Sequence, residues 1–213
     1  MELISINIGY LQTLQKKYRL EKTGIFKLPV DQPVNVTKLG LEKDVIVSKK
    51  HHGGPDQAIY IYGEPDYEWW SRELGKDLAP GTFGENLTLS GLESATFNIG
   101  DMLHIGNVTL QITAPRIPCS TFAARMNDPY WVKKFRRAER PGLYCRVLQE
   151  GMLKTGDLVS FEAYPGETLS ILEMYREYYV KNKSRETLLR HLKAPVAIRA
   201  RQDLEEELQK MTE

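Results

Sequence analysis

The densest group of side chains able to do chemistry is His51-His52-Gly53-Gly54-Pro55-Asp56. Two glycines and a proline after two histidines make a tight turn, because Gly accepts backbone angles that other residues avoid and Pro presets φ. Such a turn can aim the N–H groups of Gly53 and Gly54 at an anion while His52 and Asp56 face the same hollow. It reads equally as a plain hairpin turn capped by Asp56. Zinc is disfavoured, since adjacent histidines converge poorly on one tetrahedral ion and no Cys-x-x-Cys or His-Glu-x-x-His pattern accompanies them.

A second group is Pro115-Arg116-Ile117-Pro118-Cys119. The alternating run 108–113 delivers the chain to a kinked turn, and Cys119 is expected in the first turn of a helix that starts at Pro118. Unpaired N–H groups, the helix dipole and Arg116 would all stabilise a thiolate there. A thiolate is a nucleophile or a ligand for a soft metal; the competing reading is a buried small side chain, the usual fate of a free cysteine. Cys145 has that plainer reading, because it shares a strand face with Leu143 and Val147. Arg146 then points to the opposite face, toward solvent or an anion. In Gly81-Thr82-Phe83-Gly84-Glu85-Asn86-Leu87, Glu85 reads first as a turn cap, with a general acid or a ligand acceptor as alternatives. Lys133, Lys134, Arg136, Arg137 and Arg140 are interleaved with Tyr130, Trp131 and Phe135, a mixture that suits nucleic acid. Yet Trp131, Phe135 and Ala138 fall at helical spacing, which makes the aromatics a docking stripe and the charges a solvated face.

The elements that must position these groups come in two kinds. Leu3-Ile4-Ser5-Ile6-Asn7-Ile8, Val34-Asn35-Val36, Val45-Ile46-Val47, Ala58-Ile59-Tyr60-Ile61-Tyr62, Asn86-Leu87-Thr88-Leu89 and Met102-Leu103-His104-Ile105 read as short strands. So do 108–113, 143–148 and 158–161. Short strands separated by Gly, Asn, Asp and Pro predict a barrel or sandwich rather than a βαβ sheet. Helices are expected from Glu64-Pro65 to Gly75, from Pro118, and from Asp128-Pro129. Beyond Pro165-Gly166 the strand pattern vanishes. Leu169, Leu172, Tyr175 and Tyr179 recur at helical spacing, Ser184 opens a second helix with Leu188, Leu189 and Leu192, and a third follows Pro195. The expected division is a mainly β domain over 1–163 and a three-helix unit over 164–213, which has too little apolar surface to fold alone.

The 213 residues carry 29 Lys plus Arg against 28 Asp plus Glu, a net charge of +1, with 41% hydrophobic residues. That near-neutrality argues against a whole-chain polyelectrolyte partner such as duplex DNA or an anionic membrane surface. No apolar run approaches the roughly 20 residues that span a bilayer. Two cysteines cannot make a disulfide framework and no signal-like segment opens the chain, so a reducing cytoplasm is the expected compartment.

Four stretches in order, His52-Gly53-Gly54-Pro55-Asp56-Gln57-Ala58, Phe83-Gly84-Glu85-Asn86-Leu87, Arg116-Ile117-Pro118-Cys119 and Gly142-Leu143-Tyr144-Cys145-Arg146-Val147-Leu148, resemble the MOSC family. The family is named for the C-terminal domain of molybdenum cofactor sulfurase, and the likeness is to its YiiM-like bacterial branch. The resemblance implies an α+β fold, a MOSC-type β-barrel followed by a small three-helix unit. It implies Cys119 as the thiolate ligand of molybdenum in a pterin cofactor, or as a sulfur carrier. It also implies reduction of N-hydroxylated bases such as 6-N-hydroxylaminopurine, a detoxification, with a separate flavin reductase as electron donor. The absence of a Gly-x-Gly-x-x-Gly run agrees with an external donor.

On that reading Cys119 supplies the soft ligand, and the catalytic group is Cys119, His52 and Asp56, with His52 donating a proton and Asp56 orienting it. Tyr62 is a second donor, acting through an intervening group. Arg116 and Arg146 would neutralise the cofactor phosphate. Lys50, Gly53, Gly54, Glu85, Asn86 and Tyr62 complete the expected cofactor contacts. The rival from another class is a cofactor or persulfide carrier that uses Cys119 and reduces nothing itself. The acidic last helix and the apolar stripes of the tail also suit a homodimer.

Overall fold

The structure, a computed structural model, describes residues 1–16, 19–47 and 52–211. The strands are β1 (Leu3–Gly9), β2 (Gln12–Lys16), β3 (Arg19–Thr23), β4 (Lys27–Val30), β5 (Val34–Thr37), β6 (Gly40–Leu41), β7 (Ile59–Gly63), β8 (Leu87–Leu89), β9 (Met102–Ile105), β10 (Val108–Pro115), β11 (Leu143–Gln149), β12 (Gly151–Leu153) and β13 (Val159–Glu162). The helices are α1 (Glu64–Leu74), α2 (Ser120–Arg125), α3 (Trp131–Ala138), α4 (Ile171–Glu177), α5 (Arg185–Lys193) and α6 (Ile198–Gln209).

Eight strands form one mixed sheet in the order β13-β9-β10-β11-β7-β8-β1-β4; β12-β5-β6 and β2-β3 form two smaller ones. All neighbours in the large sheet are antiparallel except β7 and β8, which run parallel. The fold is α+β, but the expected barrel is not closed, because the end strands β13 and β4 do not pair. The sheet instead curls until the start of β1 touches the start of β13. There Glu2 bridges Leu158, Leu3 N–H donates to Asp157 O, and Val159 N–H donates to Met1 O, both at 2.9 Å. One bridge closes the gap where a barrel would have a ladder. The edge strand β4 contains Pro29, which can donate no ladder hydrogen bond and suits an edge.

The alternating runs behave as their period requires. In β11, Leu143 and Cys145 are fully buried and Val147 nearly so, while Tyr144 and Arg146 face the other way. Burial pushes the Cys145 thiol well above the usual cysteine range, so it is a packing residue. Val45-Ile46-Val47 forms no strand; its anchor is Val45 N–H to Gly9 O at 3.0 Å.

The core has two parts. An aliphatic part joins one face of the large sheet, the face of Ile59, Ile61, Leu110, Ile112, Leu143 and Cys145, to Leu169, Ile171, Leu188, Val196 and Leu204 of the C-terminal segment. An aromatic part contains Tyr60, Tyr62, Tyr67, Trp70, Phe83, Phe122, Trp131 and Phe135. Trp131 and Phe135 thus dock α3, and Lys133, Lys134, Arg136 and Arg137 lie on its exposed face. Arg140 is tied to Asp66 at 2.7 Å and Glu93 at 3.2 Å. Ser184 caps α5 through Thr187 N–H at 3.0 Å, and α4 ends at Glu177, short of the Tyr179 position that the helical spacing included.

Candidate active site

A cavity of about 440 Å³ opens where β3, the turn after β6, the His52 turn, β7 and the start of α2 meet. Its lining includes Lys16, Arg19, Lys22, Lys27 and Arg116 as cations, Glu21 and Asp44 as carboxylates, and His52 and Cys119. Among the described residues the balance at this surface is cationic.

Arg116 leaves β10 and runs inward, 4% exposed. Its guanidinium lies over the rings of Tyr60, at 4.8 Å, and Phe122, at 4.1 Å, and one Nη donates to Phe83 O. Gly84 makes this approach possible. It sits at φ 73°, and a Cβ there would meet Ile25 at 3.1 Å and the guanidinium at 3.5 Å. Arg116 Nε is buried without a hydrogen-bond partner, and among the described residues no carboxylate pairs with this charge. Burial opposes the charged form, while the neighbouring Tyr144, Tyr60 and Cys119 favour it, and the net effect holds the group above the usual arginine range. A buried cation lacking its anion is a site prepared for one.

Cys119 is half-buried and free. It occupies the position immediately before α2 rather than its first turn, so the expected place at Pro118 shifts by two residues. Lys27 and Asp44 form a buried pair, Nζ to each carboxylate oxygen at 2.5 Å, with side chains 8% and 3% exposed. Asp44 also accepts from Gly9 N–H at 2.7 Å and from Asn86 Nδ2 at 3.0 Å. Asn86 in turn accepts from Tyr60 N–H through Oδ1 at 3.1 Å. These bonds fix the floor of the cavity to β1 and β7.

His52 lines the cavity beside Gly53, whose φ of 73° and contact with Ile46, 3.0 Å from where a Cβ would stand, require glycine. Burial first, then the Arg116 and Arg199 charges, lowers the His52 pKa from 6.5 to about 4. The imidazole is therefore neutral at pH 7, a hydrogen-bonding group rather than the ready acid that its expected role needs. Protonation begins near 6.5 in the unfolded chain and near 4 in the folded one. Stability from this group is thus complete above 6.5 and falls as pH drops from 6.5 toward 4. The loss across that window should be on the order of 2 kcal/mol. We expect His52→Gln to flatten the difference between urea unfolding at pH 4.5 and at pH 7.5; parallel pH profiles for the two proteins would refute it.

The structure therefore brings His52, Gly53, Asn86, Arg116 and Cys119 to one cavity. Other expected contacts lie elsewhere. Asp56 does not orient His52: its Oδ1 lies 3.0 Å from Arg146 Nε and its Oδ2 accepts from Ile198 N–H at 2.7 Å. Arg146 is likewise not in the cavity, since it also donates to Pro195 O at 3.2 Å and Val196 O at 3.1 Å. Gly54, at φ 84°, is not part of the cavity lining. Glu85 is fully buried, its Oε1 accepting from Tyr67 OH at 2.5 Å, Gly81 N–H at 2.6 Å and Thr88 OH at 3.0 Å. It anchors the loop, as the cap reading has it, and burial raises its carboxyl above the usual range. Tyr62 is a core residue, its OH donating to Arg140 O at 2.9 Å. Lys50 lies outside the described residues. Sequence reasoning missed Lys27, Asp44, Tyr60, Tyr144 and the β2–β3 hairpin. The hairpin is held over α2 by Lys16 Nζ, 3.0 Å from Glu21 and 3.2 Å from Thr121.

Among the described residues no three His, Cys, Asp or Glu side chains gather as a metal site. A metal here would be held by the single Cys119 thiolate and by ligands it brings with it, inside a cationic, aromatic-walled cavity. The donor set fits an anionic organometallic cofactor. No helix of the described residues is long and apolar enough to cross a membrane.

Comparison with known proteins agrees with this architecture. The MOSC domain model matches residues 48–160. The uncharacterized protein YflK of Bacillus subtilis is 34% identical over 154 residues, 72% of this chain and 70% of that one. A protein named Reductase from Gibberella moniliformis is 30% identical over 76% of this chain, which is 29% of its own length. The crystal structure of YiiM from Geobacillus stearothermophilus superposes with a TM-score of 0.79 at 29% identity, covering 97% of this chain and 98% of that one.

Proposed function

This chain belongs to the MOSC domain family, and from that premise we propose that it binds a molybdenum–pterin cofactor and reduces N-hydroxylated bases. The observation that carries the reading is the pairing of Cys119 with a buried, carboxylate-free Arg116 in one cationic cavity. When bound, the cofactor supplies two-electron redox chemistry. The chain supplies the rest. Cys119 offers the soft ligand, and the Arg116 guanidinium, with its unpartnered Nε, offers directed charge to the cofactor's anionic part. Lys27 keeps its ammonium at the floor because Asp44 holds it there. Neutral His52 accepts or donates one hydrogen bond without adding charge. Tyr60 and Tyr144 form an aromatic wall against which a planar base can lie. Electrons come from a separate flavin reductase, and the cytoplasm provides both.

The test is molybdenum and pterin content of protein purified anaerobically from a molybdate-fed host, beside Cys119→Ser. Stoichiometric metal in the parent and less than a tenth of it in the variant is the expected result, followed by reduction of a hydroxylaminopurine with a chemical reductant. Equal metal in both would remove Cys119 as ligand. No metal in either, with a persulfide on Cys119, would instead make the protein a sulfur carrier.

A further inference from the structure

Four tyrosines belong to or border the aromatic cluster, and three have committed hydroxyls. Tyr60 OH donates to Pro141 O at 2.8 Å, Tyr62 OH to Arg140 O at 2.9 Å, and Tyr67 OH to Glu85 at 2.5 Å. The fourth, Tyr144, is half-buried, lines the cavity with Cys119 and Arg116, and donates to no described residue. Its place is rigidly set. It pairs with Tyr60 on β7 and Ala114 on β10, and its carbonyl accepts from Thr113 OH at 3.0 Å. Its ring rests 4.9 Å from that of Tyr60. The alternation that buries Leu143 and Cys145 obliges Tyr144 to face the cavity.

We propose that Tyr144 is the catalytic residue that recognises the N-hydroxyl oxygen of the substrate and protonates it as the N–O bond breaks. This inference rests on the reading of the site as a reductase of N-hydroxylated bases. In the overall reaction R–NH–OH takes two electrons from the external flavin donor and two protons, giving R–NH2 and water. The N–O bond breaks. One proton passes from the Tyr144 phenol to the departing oxygen, the other comes from water to nitrogen, and the phenolate recovers its proton from solvent. Burial raises the Tyr144 phenol above the usual tyrosine range, so it keeps its proton at neutral pH, and the nearby Arg116 charge opposes that rise.

The experiment uses cofactor-loaded protein and Tyr144→Phe, which keeps the ring. Without reductant, calorimetry compares 6-N-hydroxylaminopurine with adenine. With reductant, turnover is followed against pH. The expected parent prefers the hydroxylated base by roughly three- to tenfold, the worth of one hydrogen bond. Tyr144→Phe should lose that preference, bind adenine as before, and fall about a hundredfold in kcat. If the variant keeps both its preference and its kcat within twofold, Tyr144 is not the donor, although the reductase reading stands. If the loaded parent neither binds nor reduces the hydroxylated base, the reductase reading itself fails and this inference with it.

Discussion

Asp44→Ala will destabilise the protein by about 3–5 kcal/mol, the cost of leaving one member of a buried ion pair without its partner. Lys27 would keep a desolvated ammonium, and the Gly9 N–H and the Asn86 amide would each lose an acceptor. Burial already pulls the Lys27 pKa below the usual lysine range, with Asp44 as the main opposing influence, so removal of Asp44 strips away what holds the charge. The companion double variant Lys27→Met/Asp44→Leu should cost far less than Asp44→Ala alone, because attraction within a buried pair barely offsets its desolvation. Urea midpoints for Lys27→Met, Asp44→Leu and the double variant, beside Asp44→Ala, decide the matter as a cycle. A loss below about 1 kcal/mol for Asp44→Ala would show that water reaches the pair and that it does not behave as a buried one.

The second large effect has the opposite character. Arg116→Met should change the stability of cofactor-free protein by less than about 1 kcal/mol. The methionine stem fills much of the same space, and the guanidinium's desolvation roughly cancels its ring contacts and its hydrogen bond to Phe83 O. Retention of the anionic cofactor should fall roughly a hundredfold, or about 2.7 kcal/mol, because the lost group is the charge that lacks an internal carboxylate. Urea unfolding of metal-free protein and molybdenum per chain after gel filtration measure the two quantities separately. If stability falls by several kcal/mol while cofactor stays bound, Arg116 is a structural charge and the anion lies elsewhere. Asp44 and Arg116 thus share one cavity yet differ in their surroundings: one charge is paired within the fold, the other meets no carboxylate among the described residues.

Much of this was legible in residue order, and the failures have physical causes. β10 was readable because Val108 to Ile112 alternate buried and half-buried, so apolar residues repeat every second position; β1 is buried on both faces apart from Ile4, and its alternation is of isoleucines with the buried polar Ser5 and Asn7. The β2–β3 hairpin was not readable. Its sequences, Gln12–Lys16 and Arg19–Thr23, bury little besides Leu14 and Thr23, so no alternation betrays strands held by their mutual ladder. That omission concealed Lys16, Arg19, Glu21 and Lys22 on the cavity wall. Cys119, Arg116 and His52 stood out because Pro and Gly punctuate them, and punctuation marks turns where function gathers. Lys27 and Asp44 carry no such mark. They lie in ordinary polar stretches, and only the fold brings Nζ to the carboxylate. Asp56 and Arg146 show the converse error. Asp56 was assigned to orient His52 and Arg146 to a cofactor phosphate, whereas they meet one another and the start of α6.

That last arrangement has its own consequence. Through Asp56, the turn that presents His52 is fastened to the first residue of α6, and through Arg146 to the two carbonyls preceding it. Linkage between such parts is reciprocal. A ligand that ordered the turn would, by that reciprocity, also protect the first turn of α6 from amide exchange. The His52 turn and the start of α6 are therefore one hydrogen-bonded unit, although they lie 142 positions apart in the chain.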